Sequence, residues 1–403
     1  MQPWQSVEVP TLDISTGEFL IFDSQSAALK PLPTSGEVKL YVCGITPYDA
    51  THMGHAATYV AFDTLNRFWR AIGTKVDYAQ NITDIDDPLL ERAKLTGRPW
   101  QDIATEQTNL FKTDMEALRV IPPKHYVGVV ETIDLIEQSA VKLKELGVAY
   151  EVDGDLYFDM TNTDLNGKIC HLSSDQMLEV FATRGGDPQR VGKRNPLDAL
   201  LWRAQSGDDP SWPSILGPGR PGWHIECSAI ATHFLGPQIT VQGGGSDLKF
   251  PHHEMSAAHA ESLTSKSPFA HAYVHAGMVY LDGEKMSKSL GNLVFVSKLR
   301  LAGIDPMAIR LVLLSHHYRS DWEWFDSEIE AAQERLQTWR RAFAMQLGGP
   351  SPVLDVVQAL GNDLDSPGAI KTIDIWAHET LSGIESEPVS PVARSVDAML
   401  GII

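Results

Sequence analysis

A strand, a turn and a helix start follow one another between Lys39 and His55, and this succession restricts the fold of the 403-residue chain more than any other stretch. Residues 39–42 (Lys-Leu-Tyr-Val) form a short β-like run that ends in the thiol of Cys43. Gly44, Pro47, Asp49 and Gly54 then punctuate a turn. Tyr59, Val60, Phe62, Leu65, Phe68, Trp69 and Ile72 recur at helical spacing, so a helix is expected over 54–72, stopped by Gly73. A second strand follows at 76–80. Strand, helix and strand in this order open a doubly wound α/β sheet of the Rossmann type. Ligands of such sheets sit beyond the carboxyl ends of the strands, where Asn81-Ile82-Thr83-Asp84 is expected.

His52 and His55 lie three apart at the helix entrance. Unpaired backbone N–H groups and the positive end of the helix dipole favour a phosphate there, and imidazoles add hydrogen bonds to it. Surface or packing histidines would show the same spacing. A second signal of this kind lies at Lys285-Met286-Ser287-Lys288-Ser289, flanked by Gly283 and Gly291. Two lysines in such a loop neutralise charge developing on a polyphosphate; an exposed basic turn would look alike.

Residues 1–36 are an irregular lead-in with Phe19–Phe22 as an extra strand. Asp84, Asp86 and Asp87 precede Pro88, and N-capping of a helix over 88–96 is favoured over a metal site. Residues 100–150 read as two helices broken by Pro122-Pro123. Irregular patterning over 150–220 reads as an inserted subdomain containing Thr183-Arg184-Gly185-Gly186-Asp187-Pro188 and a basic stretch to Arg194. The α/β pattern resumes with a helix at 223–232, a strand at 238–242, Gly243–Asp247 at its end, a helix over 251–263 and a strand over 272–280. Helices follow from Pro306. The domains expected are 1–120 and 221–300 as two halves of a catalytic unit, 121–220 as the insertion and 301–403 as a helical domain.

Composition narrows the partners. A formal net charge of −19 opposes non-specific binding of nucleic acid. Cys43, Cys170 and Cys227 are few and far apart, as expected in a reducing compartment. No apolar signal core or membrane-length run is present, so a cytoplasmic protein is expected.

Together, His52-Met53-Gly54-His55 and the 285–289 loop resemble the paired signatures of class I aminoacyl-tRNA synthetases, with Met53 where Ile is usual. Residues 39 to 325 resemble cysteinyl-tRNA synthetases in particular, through 41–46, 81–87, 221–228 and 243–254. The resemblance implies one zinc ion on Cys43, Cys227 and His252, selecting cysteine by its thiolate. Unaided, Cys227 reads as a buried core thiol. Two thiolates and an imidazole suit Zn²⁺ and leave one position for a further sulfur. The resemblance further implies His52, His55, Lys285 and Lys288 as catalytic residues. It places Cys43, Gly44, Ile45, Thr46, Thr58, Asn81, Ile82, Thr83, Trp223, Gly245, Ser246, Asp247 and Val279 around a cysteinyl-adenylate. Asp247 is expected to hold the ammonium group, and Trp223 packs over the pocket or serves as a core aromatic. ATP is a substrate, with Mg²⁺ on its polyphosphate.

Two departures matter. Ser256 stands where cysteinyl-tRNA synthetases place a fourth, glutamate zinc ligand, and the helical tail is short for an anticodon-reading region. Both features, the Arg184–Pro188 run, Ala50-Thr51 and the start Met-Gln-Pro-Trp resemble the cysteine ligases of mycothiol biosynthesis. Those ligases have Glu where this chain has Thr183. The resemblance implies ATP-dependent amide formation between L-cysteine and glucosaminyl-inositol, with no nucleic-acid partner. A compact cysteinyl-tRNA synthetase and a silent zinc- or nucleotide-binding paralogue are the rival readings.

Overall fold

Phe19 and Ile21 point inward from one side of β1 (Phe19–Asp23), which pairs with β2 (Ala28–Leu32) as an antiparallel hairpin. The lead-in thus contains the expected strand and a partner for it. The computed structural model describes residues 1–14, 16–49, 51–286 and 291–403.

Val38, Leu40 and Val42 are buried on β3 (Glu37–Val42), which lies in the middle of the main sheet. Next come α1 (Met53–Ala71), β4 (Lys75–Ile82), α2 (Asp87–Thr96), α3 (Trp100–Ala117), β5 (His125–Gly128) and α4 (Ile133–Glu145). The helix α1 is wedged against the sheet by the predicted apolar face: Tyr59, Val60, Phe62, Leu65, Phe68 and Trp69 are all buried. Asp86 caps α2 by accepting from the Asp87 N–H at 2.8 Å, and Asp84 accepts from the Val130 N–H at 2.9 Å. Asp86 thus caps α2, as its place before Pro88 implied. The two helices expected over 100–150 are α3 and α4, and the strand β5 between them is an addition to that reading. Its four residues pair with Ala79–Ile82 of β4, a run too short to show a period of two. It lies beyond residue 120, so the main sheet continues into the stretch assigned to the insertion.

An antiparallel sheet of β6 (Ala149–Val152), β7 (Asp155–Phe158), β8 (Ala199–Ala204) and β9 (Gly219–Pro221) builds the insertion, with α5 (Ser174–Thr183) between its second and third strands. The chain returns to the main unit through α6 (Trp223–Leu235), β10 (Ile239–Gly245), α7 (Glu254–Thr264) and β11 (Ala270–Ala276). The main sheet runs β11-β10-β3-β4-β5, all parallel. Strand order reverses between β3 and β10. At that switch point, helices leave the sheet on opposite faces and open a crevice.

Two predicted elements are interrupted. The helix expected over 251–263 begins regularly only at Glu254, because Phe250 is extended (φ −139°, ψ 137°) and leads into an irregular turn. The strand expected over 272–280 divides at Gly277, where the chain turns to bond with Tyr318 and Asp321. Its second part, β12 (Val279–Leu281), joins β13 (Glu284–Lys285) in a separate small sheet. After α8 (Val296–Leu301) and α9 (Pro306–Leu314), β14 (Trp322–Glu323) completes that sheet. The helices α10 (Asp326–Phe343), α11 (Val353–Gly361), α12 (Ser366–Leu381) and α13 (Ser390–Leu400) follow. A buried charge cluster fastens them to α1. Asp63 pairs with Arg67 at 2.7 Å and with Arg310, whose guanidinium also donates to Leu400 O (2.6 Å) and Leu118 O (2.7 Å).

Candidate active site

Cys43 leaves the end of β3, Cys227 sits in the second turn of α6, and His252 lies in the irregular turn before α7. The crevice at the switch point brings all three together. The two sulfurs are 3.8 Å apart, and His252 Nε2 is 3.1 Å from the Cys227 sulfur. All three donor atoms lie within 4.8 Å of one another. Two sulfurs bound at about 2.3 Å to one tetrahedral zinc would be roughly 3.8 Å apart. The donor set and its spacing therefore fit zinc. Among the described residues, this is the group of His, Cys, Asp or Glu donors close enough to share an ion.

Burial and the neighbouring Cys227 push the Cys43 thiol well up. Burial also acts to raise Cys227, but Cys43, His252 and Tyr41 outweigh it and hold that thiol well below its usual range.

The donors are held from behind. His252 lies under the Trp223 ring, 4.4 Å between centroids, and its Nδ1 is 3.1 Å from His224 Nδ1. His253 Nε2 approaches the Cys43 sulfur at 3.2 Å, while its Nδ1 meets His275 Nε2 at 2.8 Å and His275 Nδ1 meets Ser24 Oγ at 2.8 Å. Burial drives His253 and His275 well below the usual imidazole range, so this chain is neutral. Ser256 is buried, accepts from Gln242 Nε2 at 3.0 Å and donates to His253 O at 3.3 Å, so its hydroxyl supports the fold. Glu254 turns away from the donors. Its carboxylate accepts from the backbone N–H groups of Lys168 (2.7 Å), Ile169 (3.0 Å) and Cys170 (3.1 Å).

Above these donors opens a cavity of about 490 Å³. Of the sequence-predicted residues, Cys43, Gly44, Ile45, Thr46, His52, His55, Thr58, Asn81, Thr83, Trp223, Cys227, Gly245, Asp247 and His252 line it. Asn81 organises the turn after β3, accepting from Gly44 N (2.8 Å) and from the Tyr41 hydroxyl (3.1 Å). Gly44 is obligatory there, since a Cβ would fall 1.6 Å from Asn81 O. His52 caps α1, its Nδ1 accepting from Gly54 N–H at 3.1 Å, and stacks on His55 with ring centroids 3.8 Å apart. The start of α1 and both imidazoles thus face the cavity from one side.

Ile82, Ser246 and Val279 do not line it among the described residues. Ile82 is buried at the end of β4, and Val279 O accepts from Met286 N at 3.0 Å, which ties the lysine hairpin to β12. Lys285 ends β13, but its side chain and Lys288 fall outside the described residues. Sequence reasoning missed Tyr48, Tyr59, Leu248, Met278 and Met286 as lining residues and His253 as a neighbour of Cys43. Tyr59 was absorbed into the core face of α1, yet its hydroxyl donates to Cys43 O at 3.0 Å. The second of two consecutive histidines was the signal available for His253.

Residues 30–334 match the family described as tRNA synthetases class I (C) catalytic domain. The L-cysteine:1D-myo-inositol 2-amino-2-deoxy-alpha-D-glucopyranoside ligase of Thermomonospora curvata is 54% identical over 412 residues, covering 100% of both chains. The ligase of the same name from Kribbella flavida is 55% identical over 406 residues, again covering 100% of both. Among solved structures, Mycobacterium tuberculosis methionyl-tRNA synthetase in complex with methionyl-adenylate superposes with a TM-score of 0.64 at 16% identity, over 91% of this chain and 89% of that one. Agrobacterium radiobacter K84 LeuRS, in a ternary complex, gives 0.63 at 11% identity over 92% and 83%. These two establish the shared fold. On full-length identity above one half, the chain belongs to the family of L-cysteine:1D-myo-inositol 2-amino-2-deoxy-alpha-D-glucopyranoside ligases, which is built on the class I (C) tRNA synthetase catalytic domain.

Proposed function

We propose that this protein joins the carboxyl group of L-cysteine to the amine of glucosaminyl-inositol in mycothiol biosynthesis, using ATP and passing through a cysteinyl-adenylate. The observation that carries the reading is the Cys43–Cys227–His252 cluster at the floor of a cavity whose rim is His52 and His55. A zinc ion held by those three donors would offer a soft fourth position to the sulfur of cysteine and so reject serine. Asp247 holds the ammonium group, and Trp223 and Thr46 bracket the amino acid. ATP, with Mg²⁺ on its polyphosphate, lies across the start of α1.

The cysteine carboxylate oxygen then bonds to the α-phosphorus while the bond to pyrophosphate breaks. The protein's contribution is position and charge. His52, His55 and the α1 N–H groups stabilise the transferring phosphate, and Lys285 and Lys288 add positive charge to the same task. In the second step the amine attacks the acyl carbon, an amide forms, AMP leaves and the amine gives up a proton. The three cysteines are free thiols, in keeping with a cytoplasmic, reducing location. Among the described residues, no helix is long and apolar enough to cross a membrane.

AMP release from ATP and cysteine, measured with glucosaminyl-inositol or with tRNA as acceptor, tests the reading. Turnover dependent on the aminosugar alone is expected. Turnover with tRNA alone would replace the ligase by a compact synthetase. Absence of turnover and of pyrophosphate exchange would leave a binding protein.

A further inference from the structure

A second cavity of about 810 Å³ opens beside the first. Thr46, Tyr48, Trp223, Asp247 and Leu248 line both and form the wall between them. Asp247 and Trp223 are the residues assigned above to the cysteine amine and its surroundings. A nucleophile waiting in the second cavity would therefore lie against the same wall that borders the cysteine.

Asp86, Asp87 and Glu91 at the start of α2, Arg203 on β8 and Arg220 on β9 line this cavity. Asp87 pairs with Arg203 at 3.0 Å and with Arg220. Arg220 is only 5% exposed, yet its Nε–H has no partner among the described residues. Asp86 and Glu91 form no ion pair among the described residues. The charges thus divide into one aspartate shared by two arginines, with a spare guanidinium donor, and two further carboxylates. Such a lining suits hydroxyl groups and an ammonium. It opposes a phosphodiester end, which would meet Asp86, Asp87, Glu91 and Asp187.

The floor is the 183–188 turn of the insertion, and it is rigidly built. The Tyr157 hydroxyl donates to Asp187, and the Lys193 ammonium bonds the same carboxylate at 2.8 Å. That lysine side chain is 2% exposed and lies against the rings of Tyr157 and Phe181. Gly186 passes so close to Phe181 that a Cβ would meet the ring at 2.5 Å. Arg184 donates to the carbonyls of Asp247 and Phe250, tying this floor to the segment that carries Asp247 and His252.

We propose that the second cavity is the acceptor site and takes a polyhydroxylated primary amine. Asp86 and Glu91 receive its ammonium group, and the Asp87–Arg203–Arg220 cluster its hydroxyls. The assignment rests on the amide-forming reading above. Glu91→Gln and Arg203→Gln test it. Glu91 is exposed on α2, and Asp87 keeps Arg220 when Arg203 is replaced, so both variants are expected to fold. For each variant, KM for glucosaminyl-inositol should rise about tenfold or more, as expected for loss of a charge-assisted contact. Cysteine-dependent pyrophosphate exchange needs no acceptor and serves as the control; its KM values for cysteine and ATP should change less than about twofold. If the wild type turns over with the aminosugar and neither variant changes that KM, the site assignment is wrong while the reaction stands. If the wild type exchanges pyrophosphate but releases no AMP in response to the aminosugar, the reaction reading falls and this site with it.

Discussion

Replacing Cys227 by alanine removes the sulfur that lies 3.1 Å from His252 Nε2. Zinc content should fall from stoichiometric to background and cysteine-dependent pyrophosphate exchange should be lost with it. Retention of full zinc and normal exchange would remove Cys227 from the metal site. Serine at 256 makes a complementary point, because its hydroxyl is committed to Gln242 and His253. At this scale, legibility in the sequence was uneven. Cys43 was readable as a thiol at a strand end, since local spacing places it beside a turn. Cys227 was not, because the other donors reach it only through tertiary structure, and family resemblance supplied what spacing lacked.

Among the elements, α1 carries His52 and His55, the residues proposed for phosphate, at one end and core packing along its length. Removing the His55 imidazole should leave the helix and its apolar face intact. The exchange rate should fall about a hundredfold or more, the usual cost of losing one donor to developing charge, with KM for cysteine nearly unchanged. An unchanged rate constant would return His55 to a packing role. The turn before α7 invites a second test. Glu254→Gln keeps the shape but replaces one of the two acceptor oxygens that three insertion amides share. Stability should drop by about 1–3 kcal/mol, and hydrogen exchange at 168–170 should quicken. Protection unchanged at those amides would disprove the anchoring role. The sheet helices and β3 were legible because each repeats its period over several residues. The strand β5 and the break at Gly277 were not, since both depend on partners elsewhere: β4 in one case, Tyr318 and Asp321 in the other.

For the molecule as a whole, the buried cluster of Asp63, Arg67 and Arg310 joins the catalytic sheet to the C-terminal helices. Burial alone would raise the Asp63 carboxyl, but Arg67 and Arg310 hold it below its usual value. A depressed folded-state pKa stabilises above the unfolded value of about 4, and that contribution is lost as pH falls through the lower folded value. Asp63→Asn should therefore cost about 3–5 kcal/mol near neutrality, because two guanidiniums stay buried without their anion. The variant should also lose part of the wild type's acid sensitivity. Equal denaturation midpoints for both proteins at pH 7 would refute the role. No local pattern announced this cluster, for Asp63 and Arg310 meet across most of the chain.

The same cluster bears on how the protein can be divided. A chain cut at residue 305 would lose Arg310, the Leu400 carbonyl it bonds and the Asp397 carbonyl that receives Arg67 at 2.9 Å. It would also uncover the side of α1 that rests on α9 and α13, whose other end supports His52 and His55. The terminal helices are a buttress along the half of α1 remote from His52 and His55, and a minimal catalytic fragment of this protein has to keep them.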